Sequence, residues 1–305
     1  MTQIDFTGVF PAMTTPFTDD EQIDHETLAA DAQRLEAAGV AGLVPAGSTG
    51  ESATLTHDEH IEVVETVVEA VDDVPVIAGS GSNSTHEALD LSQRAADAGA
   101  DGLLLISPYY NKPEQAGLRE HFLAVADAVD LPQIVYNVPS RTGQNVEPET
   151  VAALASHENV AAYKAASGDI AQISEVIEYT RDEELAVLSG DDALTLPICS
   201  LGGRGVISVA GNVEPERMVD LVDAALADEM ERARELHFEL SPLFRQLFVE
   251  TNPIPVKAAM EARGYGPGRL RAPLTDLSPE PREELEAILA DLEADADQRE
   301  QPEAV

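Results

Sequence analysis

Tryptophan is absent from this 305-residue chain, cysteine occurs once and lysine three times. A lone cysteine, Cys199, excludes a disulfide framework and any multi-cysteine zinc or iron–sulfur site. It falls in a predicted helix and reads as core rather than nucleophile. No apolar run approaches the roughly 18 residues that would span a bilayer. No basic patch followed by an apolar core marks a secretory leader. No Gly/Ser-rich linker separates a detachable domain, and no GxxxxGK[ST] loop occurs. His57 and His60 flank Glu59 at a spacing unlike the i, i+4 histidine pair of zinc proteases, so no metal site is expected. These absences lead us to expect a soluble cytoplasmic protein without a membrane partner.

What the chain has in abundance is acid. With 57 acidic and 18 basic side chains, the formal charge is −39. Such a surface repels phosphates, which argues against a nucleic-acid partner. The lysines are Lys112, Lys164 and Lys257, against 15 arginines. This acid-rich, lysine-poor balance fits a cytoplasm of molar salt, where counterions screen self-repulsion. A hydrophobic content of 44% excludes a disordered chain.

Short apolar runs alternate with amphipathic stretches. Candidate strands are Gly8–Met13, Gly42–Pro45, Val74–Ala78, Gly102–Ile106, Gln133–Asn137, Val160–Lys164, Leu185–Leu188 and Gly205–Val209. Their spacing of about 20 to 33 residues is that of strand–helix–loop units. Between them, Asp58–Val71 sets Ile61, Val64, Val67, Val68 and Val71 along one helical face. Thr85 reads as an N-cap, with Gly99 and Gly39 closing their helices. Eight such units predict an α/β fold, a closed (β/α)8 TIM barrel over residues 1–214. From Pro215 onward only helices are predicted, at 215–227, 229–249, 253–263 and 279–297. They form a C-terminal extension over 215–305, whose acidic end, Pro279–Val305, is expected to fray.

Barrels carry their chemistry at the C-terminal ends of strands. Lys164 ends an apolar run there. A lysine at such a place can snorkel to solvent or pair with a carboxylate. Desolvated, it loses its proton and becomes the neutral amine that forms a Schiff base with a ketone. In a chain that has shed nearly all its lysines, the second role is the one arginine cannot fill. Gly47-Ser48-Thr49-Gly50 offers hydroxyls and open backbone N–H groups that suit a small carboxylate. Tyr110 and Tyr136 are either packing residues or proton relays. Arg141 follows a proline-fixed turn and offers a fork for a second carboxylate, or for a surface ion pair.

Together these motifs resemble the class I aldolase family that includes dihydrodipicolinate synthase and N-acetylneuraminate lyase, from about Gly8 to Thr275. Gly50-Glu51-Ser52-Ala53-Thr54-Leu55, the YNVPSRTG stretch from Tyr136 to Gly143, Leu247-Phe248-Val249-Glu250 and Asn252-Pro253-Ile254-Pro255-Val256-Lys257 are similar to the synthase branch. The resemblance implies a Schiff-base role for Lys164 and a hydroxyl relay of Ser48, Tyr136 and Tyr110, the last reaching into a neighbouring subunit's site. It implies pyruvate-carboxylate contacts at Ser48 and Thr49, and Gly190 and Ile207 lining the pyruvate pocket. Arg141 would bind aspartate semialdehyde. No cofactor is implied, because the protein supplies the imine-forming amine itself.

The resemblance also implies a cleft for the effector L-lysine, built from Ser52, Ala53, His57, His60, Asn83, Glu87 and Tyr109. A shared tyrosine implies at least a dimer, and the family suggests a tetramer built as a dimer of dimers. Two departures favour the alternative of a 2-keto-3-deoxy sugar acid aldolase: Ser48 stands where the synthase usually has Thr, and Ala165 where it commonly has Glu.

Overall fold

A computed structural model of the chain describes residues 4–300. The end of the acidic tail, where fraying is expected, lies at 301–305, outside the described residues.

Seven parallel strands form one sheet: β1 (Gly8–Pro11), β2 (Ile77–Gly79), β3 (Gly102–Ile106), β4 (Gln133–Asn137), β5 (Val160–Ala165), β6 (Ala186–Ser189) and β7 (Gly205–Ser208). Their order is β1-β7-β6-β5-β4-β3-β2. Residues 42–45, expected as a strand, instead make single bridges on either side, Val44 to Ala12 and Leu43 to Val76. Pro45 has no N–H to give, which keeps the ladder short. The segment still closes the barrel. The N–H groups of Ala41 and Val44 donate to Val9 and Pro11 O on one side. Those of Ile77 and Gly79 donate to Leu43 and Pro45 O on the other. The expected strand at Val74–Ala78 is shifted to Ile77–Gly79, after Pro75.

Side chains on a strand alternate between two faces. In β3, Leu103 and Leu105 pack outward under the helices while Leu104 points inward. In β4, Ile134 and Tyr136 point inward and Val135 outward. In β5, Ala162 lies in the inner cluster, and Tyr163 and Ala165 in the outer layer. The same alternation turns Lys164 inward. The inner cluster of Phe10, Val44, Ile77, Leu104, Ile134 and Leu188 plugs the barrel.

The helices follow local signals. Thr56 and Glu59 form a reciprocal capping box for the helix His57–Ala70. The helix Thr85–Asp97 is capped by Ser84, one residue earlier than expected, because the Ser84 hydroxyl accepts the Glu87 N–H. The C-terminal helices Pro215–Leu226, Met230–Gln246, Ile254–Ala262 and Pro279–Glu300 share a second core. That core includes Val9, Val206 and Val209 from the barrel, so the extension is packed onto the wall between β1 and β7.

Candidate active site

The C-terminal mouth of the barrel holds a cavity of about 520 Å³. Lys164, Tyr136, Ser48, Thr49, Arg141 and Gly190 line it, so the structure brings together most residues read from the sequence.

Tyr136 of β4 is in register with Lys164 of β5, and both face inward. The Lys164 amine therefore stands 4.1 Å from the centre of the Tyr136 ring. Lys164 is only 6% exposed. Burial pulls its ammonium down from 10.5 to about 7; the Asp192 carboxylate opposes this and the Arg141 guanidinium adds to it. At neutral pH Lys164 therefore offers far more free amine than an ordinary lysine does.

Tyr136 is pushed the other way. Burial raises its phenol to about 12, with Arg141 and a hydrogen bond to Ser48 working against the rise. Tyr136 thus keeps its proton at neutral pH and can pass one along the bond to Ser48. The short helix Pro139–Thr142 presents Arg141 at the rim. Gly143 ends it at φ 72, a backbone region that suits glycine. The Arg141 Nη2 donates to the Asn252 carbonyl at 2.7 Å, which holds the fork while leaving its other donors to the cavity.

Gly190 has a steric role. A Cβ there would come within 3.1 Å of Lys164 Cγ and Cε and 2.7 Å of Ala166 Cβ. Ile207 is not on the cavity wall; it is packed inside the barrel in the cluster that includes Tyr136 and Leu188. Tyr110 is not brought to the cavity of its own chain. It is 89% exposed, with φ at 71, and projects from the loop after β3. Ala165 is fully buried on the outer face of β5, so the residue type at this position does not touch the cavity.

A second cavity of about 460 Å³ adjoins the first and shares Gly47, Ser48, Tyr136, Arg141 and Asn252 with it. Ser52, Ala53, His57, His60, Glu87 and Tyr109 line it. His57 Nε2 lies 3.0 Å from Glu87 Oε1. His60 is buried and hydrogen-bonded to the Gly79 carbonyl; burial lowers its pKa, so its ring serves the wall. Asn83 is not among the residues lining this cavity; its backbone carbonyl accepts from Asn111 Nδ2 at 2.8 Å.

Two residues near the cavity were given no role in the site from sequence. Asp192, 1% exposed, accepts from Ser208 Oγ at 2.5 Å and from the Val209 and Ala210 N–H groups at 3.0 and 2.9 Å. Burial raises it to about 6 against those bonds. Asn252 donates to Thr49 Oγ1 at 2.9 Å. The Asp191-Asp192 pair at a strand end was a legible signal; nothing in the sequence tied Asn252 to Thr49.

A parallel barrel whose mouth gathers a desolvated lysine, a tyrosine and an arginine fork around one cavity defines a barrel enzyme. Comparisons specify it further. Residues 5–292 match the model of the dihydrodipicolinate synthetase family. The 4-hydroxy-tetrahydrodipicolinate synthase of Haloarcula marismortui is 70% identical over 97% of this chain and 96% of its own. That of Natronomonas pharaonis is 68% identical over 96% of this chain and all of its own. The crystal structure of the Cyanidioschyzon merolae synthase with lysine bound superposes with a TM-score of 0.92 at 40% identity, covering 94% of this chain and 98% of that one. The chain belongs to the dihydrodipicolinate synthetase family.

Proposed function

We propose that Lys164 forms a Schiff base with pyruvate and that the enamine condenses with L-aspartate 4-semialdehyde. The product is 4-hydroxy-tetrahydrodipicolinate, on the route to lysine and diaminopimelate. The carrying observation is the buried Lys164 amine, 4.1 Å from the centre of the Tyr136 ring in a cavity rimmed by Arg141.

The neutral amine attacks the keto carbon, and the carbinolamine loses water to give the imine. Tyr136 supplies and takes the protons, with Ser48 behind it. Ser48 and Thr49 hold the pyruvate carboxylate, and Asn252 fixes the Thr49 hydroxyl. The imine draws electrons from the methyl group, which loses a proton to become an enamine. That carbon bonds to the aldehyde carbon of the semialdehyde, whose carboxylate pairs with the Arg141 fork. The substrate's amine then adds to the imine carbon, closes the ring and expels Lys164. Holding both substrates in line supplies up to about 7–11 kcal/mol of the acceleration.

Tyr110 completes the relay in a neighbouring copy; its exposure fits an assembly of at least two chains, a dimer of dimers in our reading. The second cavity is the seat of L-lysine, and its shared wall with the first lets an effector disturb Tyr136 and Ser48. Among the described residues no helix is long and apolar enough to cross a membrane, which fits a cytoplasmic enzyme.

Ser48 is the feature left to favour a sugar acid aldolase. Arg141 weighs against it, since a polyol presents hydroxyls where the fork needs a carboxylate. The test offers pyruvate with either aspartate semialdehyde or glyceraldehyde. Turnover of the semialdehyde, with a KM raised by Arg141→Ala while pyruvate imine still forms, supports the proposal. Turnover of glyceraldehyde alone overturns it.

A further inference from the structure

Lys257 is as buried as Lys164 and has no part in the chemistry above. It sits on the helix Ile254–Ala262 of the C-terminal extension and forms an ion pair with Glu51, with both side chains nearly inaccessible to solvent. The Lys257 ammonium also donates to the Arg269 carbonyl at 2.7 Å and lies 4.3 Å from the Phe17 ring centre. Glu51 Oε2 accepts the Arg271 N–H at 3.1 Å. Glu51 itself holds a left-handed backbone, φ 54 and ψ 35, directly after Gly47-Ser48-Thr49-Gly50. A non-glycine residue stays in that region only where its surroundings hold it there.

The other contacts of this turn fit the same picture. Thr15 Oγ1 donates to Gly50 O at 2.7 Å, and Asn252 Nδ2 holds Thr49 Oγ1. The Glu51 N–H donates to Ser48 O at 3.2 Å. Apart from Thr15, every tertiary tie on residues 48–51 among these comes from residues 252–271, about 200 positions away. Other charges nearby are committed elsewhere. Arg271 makes a two-pronged bond to Glu59 at 2.6 and 3.0 Å, and Arg269 reaches Asp19 at 2.5 Å.

We propose that the Glu51–Lys257 ion pair is a positioning device. It pins the hydroxyl turn to the C-terminal extension and sets Ser48 and Thr49 for the pyruvate carboxylate. The inference rests on the reading that this turn binds pyruvate. It gives the extension a catalytic purpose: the helices are the backstop of the turn. Removing one partner strands a buried charge, and the free charge pulls the turn out of place.

The test uses the full chain in high salt with two variants. Lys257→Met leaves Glu51 unmatched, and Glu51→Gln/Lys257→Met removes both charges so that the fold is retained. Circular dichroism and the melting temperature report folding, while pyruvate KM, semialdehyde KM and kcat report the site. The expected result is a pyruvate KM raised about ten- to hundredfold in folded Lys257→Met, with semialdehyde KM within about twofold of the parent. The double variant keeps its fold and a raised pyruvate KM. A folded single or double variant with the parent's pyruvate KM overturns the proposal. If Lys257→Met does not fold, the double variant decides. Failure of the parent protein to form any pyruvate adduct would instead strike the reading of the turn, and the two failures are distinct.

Discussion

Gly190 leaves open the space through which the Lys164 side chain passes. The pairing of β5 with β6 puts Ser189 beside Ala165, and Gly190 N donates to Ala165 O at 2.7 Å, so the two strands run in contact beside the cavity. Any Cβ at 190 meets Lys164 carbons at 3.1 Å and Ala166 Cβ at 2.7 Å. Gly190→Ala must push the lysine stem aside. Overpacking of this kind costs about 1–3 kcal/mol. A displaced nucleophile loses about a hundredfold in rate. We expect Gly190→Ala to stay folded and to form the pyruvate adduct about a hundredfold more slowly, measured by stopped borohydride trapping.

We expect Lys164 to set the acid limb of activity. Its amine is neutral above about pH 7 and protonated below, so imine formation falls as pH drops through that value. Asp192 raises the lysine's pKa from a fixed place, held by Ser208 and two backbone N–H groups. Asp192→Asn removes that charge and shifts the acid limb to lower pH. The pH dependence of the adduct rate measures the midpoint; an unmoved midpoint in the folded variant contradicts the assignment.

The second cavity, proposed above as the seat of L-lysine, makes a separate prediction. His57 is half exposed and faces Glu87 across 3.0 Å at the cleft wall, outside the catalytic cavity. His57→Ala is expected to weaken inhibition by free lysine about tenfold or more while leaving uninhibited kcat within about twofold. Activity of the parent protein that stays flat to millimolar lysine would dispose of the effector site.

Salt dependence follows from the charge count alone. Even if all 18 basic side chains paired one to one with acids, 57 − 18 = 39 acids would remain. The two halophilic relatives share the sequence at 70% and 68% identity. Dialysis from molar to about 10 mM salt stretches the screening length to about 30 Å and lets those charges repel. Loss of helical circular dichroism is expected; an unchanged spectrum contradicts the salt requirement.

Much of this site was legible in the sequence because each piece is local. An apolar run ending in lysine puts Lys164 at a strand's end, and period two then turns it toward Tyr136. The Pro139–Gly143 turn fixes Arg141 by short-range geometry. Illegible were the contacts that span the chain: Asn252 on Thr49 and Lys257 on Glu51 lie over 200 residues apart and leave no spacing to read. The segment 42–45 misled because its apolar run is a strand's, while Pro45 denies it a ladder. Ile207 belongs to the buried inner cluster and is absent from the cavity lining, a distinction that strand alternation alone does not make. Tyr110 is exposed in the single chain, so the fold of one copy gives it no place in the cavity.

The central claim is that the Lys164 nitrogen is the covalent handle for pyruvate. Its direct measurement is the mass of the protein, and of its Lys164 peptide, after borohydride reduction in the presence of pyruvate. The account predicts one reduced pyruvate per chain, carried on Lys164 and absent from Lys164→Arg. A protein of unchanged mass, or an adduct carried by Lys112 or Lys257, would contradict it.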